Sequence, residues 1–249
     1  MRKTLMVAIA CVLLTVPGYA EEIRIIGGAP AITTVFSPIK NAYEEATGDS
    51  LVIDVSDNTD SLIALEKGRV DVAAINLFAV ESGIEHARKR GVVIDPASLH
   101  RQQVAMSSLV VFTNKTNPVV RLNKEQLKSI FTGRITNWQE VGGEDREIVV
   151  LWGTETNFLN PLFQKTILDG EKITSRALEA GDHYELRQLV MEIPGGIAIN
   201  TSGLIMPKIK VPKIPPIPLP IIAVTKGEPS ARVQRVLSFY QKEYGFLDE

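Results

Sequence analysis

An alternation of strand-like and helix-like segments between residues 22 and 76 constrains the fold of this chain most. The segments EIRIIGG, SLVIDVSD and VDVAAIN are apolar or alternate in polarity, as buried strands do. Two amphipathic segments separate them, one running from about Thr33 to Thr47 and one capped by Thr59 or Asp60. Because the connections are short, this β-α-β-α-β order predicts a parallel sheet covered by helices.

Polar loops follow the three predicted strands at residues 27–34, 56–60 and 76–78. In open α/β sheets, ligands bind at the carboxyl ends of the strands. Gly27 and Gly28 lead into a helix that we expect to begin at Thr33 and Thr34. A helix N-terminus presents unpaired N–H donors, so this turn is typical of half an anion site.

Strand and helix signals resume after Asn114, which predicts a second α/β lobe. A long apolar strand at 102–114, interrupted by Ser107 and Ser108, leads into it. Asn123 and Gln126 then have the spacing of a capping box. Further segments are predicted as strands at 147–153, 195–200 and 219–226 and as helices at 161–168, 182–192 and 231–244.

These signals predict two lobes with the chain crossing between them. One lobe comprises residues 21–104 plus 221–249, and the other comprises residues 109–205. Residues 206–220, where the chain returns from the second lobe to the first, contain six prolines. Since proline cannot donate to a sheet ladder, we expect an extended edge segment or connector there.

The first 20 residues are typical of a cleaved signal peptide. Arg2 and Lys3 precede an apolar run, and Gly18-Tyr19-Ala20 is a small-x-small cleavage site before Glu21. The run is short for a transmembrane anchor, and it continues past Cys11, which argues against a lipoprotein signal. We therefore expect a periplasmic mature chain that begins at Glu21 and has no membrane span.

That mature chain would have no cysteine, since Cys11 is the one cysteine of the sequence, so we expect no disulfides. Loss of Arg2 and Lys3 changes the formal net charge from −2 to −4. This balance argues against nucleic-acid binding, which requires a basic face.

The stretch LNKEQLKSIFTGRITNWQEVGG resembles the signature of the phosphate-type periplasmic solute-binding proteins of ABC transporters. Four other stretches are similar to that family in the same order: TTVFSPIKNAYEEATG, VAMSSLVVFTNKTNPV, PGGIAINTSGL and SARVQRVLSFY. The resemblance implies a two-lobed type II periplasmic-binding-protein fold, with helices on both faces of two mixed sheets joined by a hinge. It also implies a small-molecule or anion ligand in the interlobe cleft and an ABC permease as partner.

The resemblance also suggests which residues contact the ligand, although the family's loops are only partly matched. Ala31-Ile32-Thr33-Thr34-Val35 stands where the family has Gly-Ser-Thr-Thr-Val, and Asn76-Leu77 stands where it carries Ser-Arg. Ser107-Ser108 replaces Asp-Gly, and the third loop, LWGTETNFLNPLF, lacks the usual arginine. The candidate ligand-binding residues are Thr33, Thr34, Asn76, Ser107, Ser108, Thr154, Thr156 and Asn157.

No motif for a nucleophile, a bound cofactor or a zinc helix occurs, so we predict neither catalytic activity nor a cofactor or metal site. Asp182, beside His183, is interpreted as a helix N-cap rather than a metal ligand. The leading hypothesis is a solute-binding protein, for which the family resemblance implies phosphate or another small oxyanion as ligand. From the departures in the loops we predict that phosphate itself binds weakly or not at all. The alternative is an interaction or sensory module of the same fold.

Overall fold

The computed structural model of the protein describes residues 22–154 and 158–244. The predicted signal peptide and two candidate ligand residues, Thr156 and Asn157, lie outside the described residues. The described strands are β1 (Glu22–Gly27), β2 (Ser50–Val55), β3 (Val72–Asn76), β4 (Leu99–Asn114), β5 (Val149–Gly153), β6 (Leu178–Ala180), β7 (Gly196–Thr201), β8 (Ile209–Lys210) and β9 (Pro218–Lys226).

The described helices alternate with these strands, as the sequence predicted. They are α1 (Ala29–Ala31), α2 (Ser37–Thr47), α3 (Asn58–Glu66), α4 (Val80–Lys89), α5 (Lys124–Phe131), α6 (Leu159–Thr166), α7 (His183–Glu192) and α8 (Ala231–Tyr244). A π-helical segment, Ile32–Phe36, joins α1 to α2 without a break. The α/β fold class is therefore confirmed.

Hydrogen bonds join the described strands in the order β2-β1-β3-β9-β4-β7-β5-β6, with β8 also on β4. The strands β1, β2 and β3 pair in parallel, as their short crossovers predicted, whereas β9 runs antiparallel to β3 and β4. The long strand β4 connects the two halves of the molecule. Its residues up to Ser108 pair with β9, and those from Leu109 onward pair with β7. Strand β4 thus continues through Ser107 and Ser108, and the long strand that the sequence predicted there is confirmed.

Each half of the molecule has helices on both faces of its strands. In the first half, Val72 and Ala74 pack into one buried cluster with α2 and α8, and Ala73 and Ile75 pack into another with α3 and α4. In the second half, Val111 lies in a cluster with α5 and α6, while its neighbour Phe112 lies in a cluster with α7. Because neighbouring residues of a strand point to opposite faces, these paired clusters define a helix–sheet–helix layering in each lobe.

The proline-rich segment is partly strand. Strand β9 begins at Pro218 and takes in the last three residues of the predicted connector. Pro218 and Pro220 pair with β4, whereas the pairing with β3 begins at Ile221. Pro218 and Pro220 therefore lie in the part of β9 that has no β3 neighbour. This position suits proline, because proline has no backbone N–H to donate to a neighbouring strand.

The first helix begins four residues earlier than we predicted. Gly28 is its N-cap in an extended conformation, and Pro30 lies in its first turn. A proline at this position is favourable because its φ angle suits a helix and its missing N–H would be unpaired there anyway. Thr33 and Thr34 therefore lie beyond the four free N–H groups of the helix end. Likewise α3 begins at Asn58 and is capped by Asp57, not by Thr59 or Asp60.

The capping box of α5 is present as predicted. The Asn123 side chain accepts from the Gln126 N–H at 2.9 Å, and the Gln126 side chain accepts from the Asn123 N–H at 3.0 Å. We expect Asn123→Ala to lower the free energy of unfolding by about 1 kcal/mol, because the Gln126 N–H at the helix end loses its partner. Denaturant unfolding measures this. Asn41→Ala, on the exposed face of α2, is the control and should be neutral or slightly stabilising; equal effects of the two substitutions would contradict the prediction.

Candidate ligand cavity

A cavity of about 230 Å³ lies at the carboxyl ends of β1, β2, β3 and β7. The first half of the molecule contributes residues 28–31, residues 55–58 and Asn76 to its wall. Ser107, Leu219 and Ile221 come from the two strands that link the halves, and the second half contributes Phe158, residues 182–184 and Thr201. The cavity is thus enclosed between the two lobes, at the edge of the sheet where α/β proteins bind ligands.

Glycine at the end of β1 brings three strand ends together around this cavity. A Cβ atom on Gly27 would lie 2.1 Å from the Ala74 carbonyl oxygen, well inside van der Waals contact. The Gly28 N–H donates to that same oxygen at 3.1 Å, and the Ser56 N–H donates to the Gly27 carbonyl at 2.8 Å. Glycine at position 27 therefore allows β1 and β3 to lie close enough to form the cavity wall.

Within the described structure, the helices α1, α3, α6 and α7 begin at the cavity. The N-cap of α6 is Phe158, which supplies no side-chain cap. The Asp57 carboxylate accepts from the Asp60 N–H at 2.9 Å and caps α3. Asp182 accepts from the N–H groups of Tyr184 and Glu185 at 2.8 and 2.9 Å and caps α7, as predicted. The positive ends of α3 and α7 already face the carboxylates of their own caps. The α1 terminus has no side-chain cap, but Pro30 in its first turn has no N–H to donate.

His183 is oriented by a hydrogen-bonded pair with Asn200. The Asn200 amide NH₂ donates to the His183 carbonyl at 3.1 Å, and its oxygen accepts from the Thr201 N–H at 2.9 Å. That oxygen also lies 3.1 Å from His183 Nδ1, so Nδ1 carries the proton and donates. The other ring nitrogen, Nε2, has no hydrogen-bond partner among the described residues and is an acceptor.

The charges around the cavity are unfavourable for an anion. Of the described residues that line it, Asp57 and Asp182 carry a formal charge at neutral pH, and none is lysine or arginine. Burial lowers the pKa of His183 below its ordinary value, against the opposing effects of the Asn200 hydrogen bond and the Asp182 charge. The imidazole is therefore neutral at pH 7.

The comparison with known families agrees with this architecture. A family model described as a PBP superfamily domain matches residues 17–210. The chain belongs to the PBP superfamily. This membership, together with the relatives described next, confirms the resemblance that the sequence motifs predicted.

Relatives of this PBP superfamily member include the Phosphate-binding protein PstS of Bacillus subtilis, which is 26% identical over 176 residues, 71% of the chain. The chain spans only 55% of the length of that relative. A structure described as a phosphate ABC transporter substrate-binding protein with bound phosphate, from Clostridium perfringens, has a TM-score of 0.72 and 20% identity. That match covers 90% of this chain and 95% of the other.

A regulatory domain has the same fold. The CcmR regulatory domain of Synechocystis, in complex with 2-PG, matches with a TM-score of 0.63 and 11% identity, over 89% of this chain and 96% of the other. Structural similarity at such low sequence identity shows a shared fold and nothing more. Within its described residues, this superfamily member has no helix with the length and apolarity that a bilayer crossing requires.

Two predicted ligand residues of this PBP superfamily member lie on the cavity. Asn76 lines the cavity, and its amide oxygen accepts from the Phe78 N–H at 2.9 Å. Ser107 is 3% exposed, and its hydroxyl lies 3.0 Å from that of Ser202. Ligand contact by these residues stays a prediction.

The other described candidates lie away from the cavity wall. The Thr33 hydroxyl donates to the Ala29 carbonyl at 2.8 Å and lies 3.3 Å from the Gly203 carbonyl oxygen. The Thr34 hydroxyl, buried against Gly203, has no described partner. The Ser108 N–H donates to the Ser202 hydroxyl, and both the N–H and the hydroxyl of Thr154 donate to the Ala180 carbonyl. In this structure Thr33 and Thr34 contact the segment after β7, because the helix began earlier than predicted.

Sequence reasoning did not select Asp57, His183 or Thr201 as ligand candidates. Asp57 lies in the polar segment 56–60 that we placed at a strand end, and Thr201 directly follows the predicted strand 195–200. Applying the strand-end rule to every predicted strand would have selected both. His183 had no such signal, since its position depends on its tertiary contact with Asn200.

The buried imidazole predicts a pH dependence of stability. The unfolded chain binds a proton on His183 near pH 6.5, whereas the folded protein binds it only at lower pH. The stability is therefore fully present above about pH 6.5 and is lost as the pH falls through the lowered folded pKa. The titratable groups that line the same small cavities as His183 are Asp57, His86, Asp182 and Tyr184.

Thermal unfolding of the wild type and His183→Asn between pH 4.5 and 8 measures the effect. Asparagine retains a donor for Asn200 but does not titrate. We expect the wild type to lose more stability than the variant below about pH 6.5. Parallel losses in the two proteins would contradict the prediction.

Proposed function

We propose that the protein is an exported solute-binding protein that holds a small ligand between its two lobes and delivers it to an ABC permease. The lobes are residues 21–104 plus 221–249 and residues 109–205, with 206–220 as the return connector. The observation that carries the proposal is the cavity lined from both halves at the strand ends. Closing two lobes over a ligand buries it and makes the closed form recognisable to a partner.

We propose binding without catalysis. Two serines, Ser56 and Ser107, line the cavity wall, and neither has a hydrogen bond to His183 in the described structure. The Ser107 hydroxyl lies beside that of Ser202. A nucleophile needs an adjacent base to be activated. The relatives are named as binding proteins, which supports the same proposal.

A thermal-shift screen tests solute binding, because a ligand that binds the folded state raises the melting temperature. The screen includes oxyanions, small carboxylates, amines, amino acids and sugars. Val55→Trp should abolish any shift, since Val55 is a half-exposed residue of the cavity wall and the larger ring would occupy the cavity. Val93→Trp is the matched control, because Val93 is 79% exposed and lies outside the cavity wall. A shift that survives Val55→Trp would place the ligand elsewhere, and no shift with any compound class would contradict the proposal.

The second candidate function is a sensory module, which the fold likeness to a regulatory domain supports. A ligand would then bind without transport. ATPase measurements on a reconstituted permease distinguish the two functions: ligand-loaded transport protein should stimulate the permease, whereas a sensory module should not.

We propose that the protein acts in the periplasm as a mature chain beginning at Glu21. The motif Gly18-Tyr19-Ala20 supports this. N-terminal sequencing of exported protein decides it, and a lipid-modified Cys11 would contradict it.

A further inference from the structure

The positive charges of the chain are unevenly distributed. The sequence has 27 lysines and arginines against 29 acidic residues, yet no Asp or Glu occurs in residues 96–124 or 193–227. The fold brings part of each acid-free stretch together, residues 115–121 and residues 208–213. We call this pair of segments the basic ribbon. It carries five cations: Lys115, Lys208, Lys210, Lys213 and Arg121.

Two adjacent turns hold one end of the basic ribbon. The last residue of β4 pairs with the first residue of β8. The turn 114–117 follows β4 and contains Lys115, and the turn 206–209 leads into β8 and contains Lys208. Backbone hydrogen bonds of 3.0 and 2.9 Å close the two turns. Lys115 and Lys208 therefore lie at the same end of the second lobe.

The other three cations follow along the same two segments. Lys210 Nζ donates to the Asn117 carbonyl at 2.6 Å and so joins the first segment to the second. Farther along, Arg121 pairs with Lys213 in an isolated bridge. The Leu122 N–H donates to the Lys213 carbonyl at 2.9 Å. The five cations thus belong to one continuous strip of surface.

The charges of this strip are not neutralised within the protein. The residues of the basic ribbon that are exposed and form no ion pair in the described structure are Lys115, Lys208, Lys213 and Arg121. By contrast Lys124, which lies next along the chain, pairs with Asp169 at 2.6 Å. Neighbouring cations without carboxylates repel one another and attract an external anion, so the ribbon favours an anionic partner.

The residue types indicate which anionic partner fits. Four of the five cations are lysine, a flexible point charge, whereas a single carboxylate or phosphate is best gripped by the planar fork of arginine. Lysines therefore suit a surface that carries many mobile anions. Val120 and Met206, directly beside the ribbon, are 69% and 37% exposed. Lysines mixed with exposed apolar side chains are typical of surfaces that bind anionic bilayers.

The ribbon lies far from the ligand cavity. Strand β4 runs from Ser107, in the cavity wall, to Asn114, where the ribbon begins. At about 3.3 Å per residue, this part of the strand spans about 23 Å. A surface bound at the ribbon would therefore leave the cavity open to solutes.

We propose that the basic ribbon docks the protein on the anionic surface of a membrane, with its cations at the lipid phosphates and Val120 and Met206 against the headgroup region. This inference goes beyond the proposed function, because it concerns a different surface and requires no ligand. Docking would hold a solute-binding protein close to the bilayer that contains its permease.

Sedimentation with sucrose-loaded vesicles tests the docking. The protein without residues 1–20 is mixed at low ionic strength with vesicles of phosphatidylglycerol and phosphatidylcholine in equal parts, or of phosphatidylcholine alone. Each cation near an anionic bilayer contributes about fivefold to binding, so we expect at least about 10-fold tighter binding to the anionic vesicles. In about 1 M salt, where the Debye length is about 3 Å, that preference should disappear.

Paired variants separate the ribbon from the net charge. Lys208→Gln plus Lys213→Gln removes two ribbon charges and should weaken binding to the anionic vesicles by about 10-fold or more. Lys67→Gln plus Lys89→Gln is the control, because both lysines are exposed in the first half of the molecule and the net charge changes equally. We expect the control to bind within about twofold of the wild type, since its charges lie away from the bilayer.

A second ribbon variant, Lys115→Gln plus Arg121→Gln, should reproduce the loss. The unfolding midpoints of all three double variants should match the wild type, since each replaced side chain is exposed and unpaired. Equal binding to the two kinds of vesicle would overturn the proposal, and so would equal losses in ribbon and control variants. Tighter binding to soluble polyglutamate than to the anionic vesicles would overturn it in favour of an acidic protein partner. None of these results would alter the outcome of the solute screen.

Discussion

Replacing Gly27 with alanine is expected to lower the free energy of unfolding by more than about 3 kcal/mol, at or above the usual cost of overpacking. The new Cβ would lie 2.1 Å from the Ala74 carbonyl oxygen and 2.8 Å from the Ala74 Cβ. Neither is the mobile end of a side chain. Relief of the clash requires separation of β1 from β3, where Gly27 pairs with Ala74.

Gly28→Ala is the matched control for this experiment. Gly28 has φ −60 and ψ 142, which any residue adopts, and its nearest contact would be the Asn58 side-chain oxygen at 3.3 Å. We expect a change within about 1 kcal/mol, since alanine also restricts the unfolded chain. Denaturant unfolding of both variants makes the comparison. Equal destabilisation by the two substitutions would mean that the clash at Gly27 is relieved cheaply.

Phosphate is expected to bind the mature protein with millimolar affinity or weaker. A desolvated phosphate needs charge-assisted donors, and arginine supplies two at once. The described cavity wall has no lysine or arginine, and its α3 and α7 helix ends are capped by Asp57 and Asp182. Charged hydrogen bonds contribute about 1.5–3 kcal/mol each, so the absence of two costs about 100-fold or more in affinity.

Calorimetry near neutral pH measures this directly. The double variant Asp57→Asn plus Asp182→Asn should bind phosphate more tightly than the wild type, because asparagine caps helices as well as aspartate does and removes the repulsion. Micromolar or tighter binding by the wild type would contradict the prediction. It would mean that backbone N–H groups with Asn76 and Ser107 suffice for phosphate.

Local patterns determined most of the fold. The alternation of strand and helix signals in residues 22–76 was enough to predict the parallel strands β1, β2 and β3, because short crossovers leave few topologies. The capping box at Asn123 and the cap at Asp182 were also predictable, since a cap is formed by residues two or three apart in sequence. The start of the first helix was not, because Pro30 is equally compatible with a turn and with the first turn of a helix.

The ligand site depended on the tertiary structure. Sequence alone indicated which strand ends carry polar residues, and Asn76 and Ser107 do reach the cavity. It predicted the long strand through Ser107 but could not show that β4 exchanges β9 for β7 after Ser108, because strand pairing joins residues far apart in the chain. The unpaired Thr201 hydroxyl and the orientation of His183 arise in the same way, from contacts that form only when α7 packs against the end of β7. Periodicity and capping act over a few residues and can be read along the chain, whereas the partners of a buried polar group are set by which distant elements pack together.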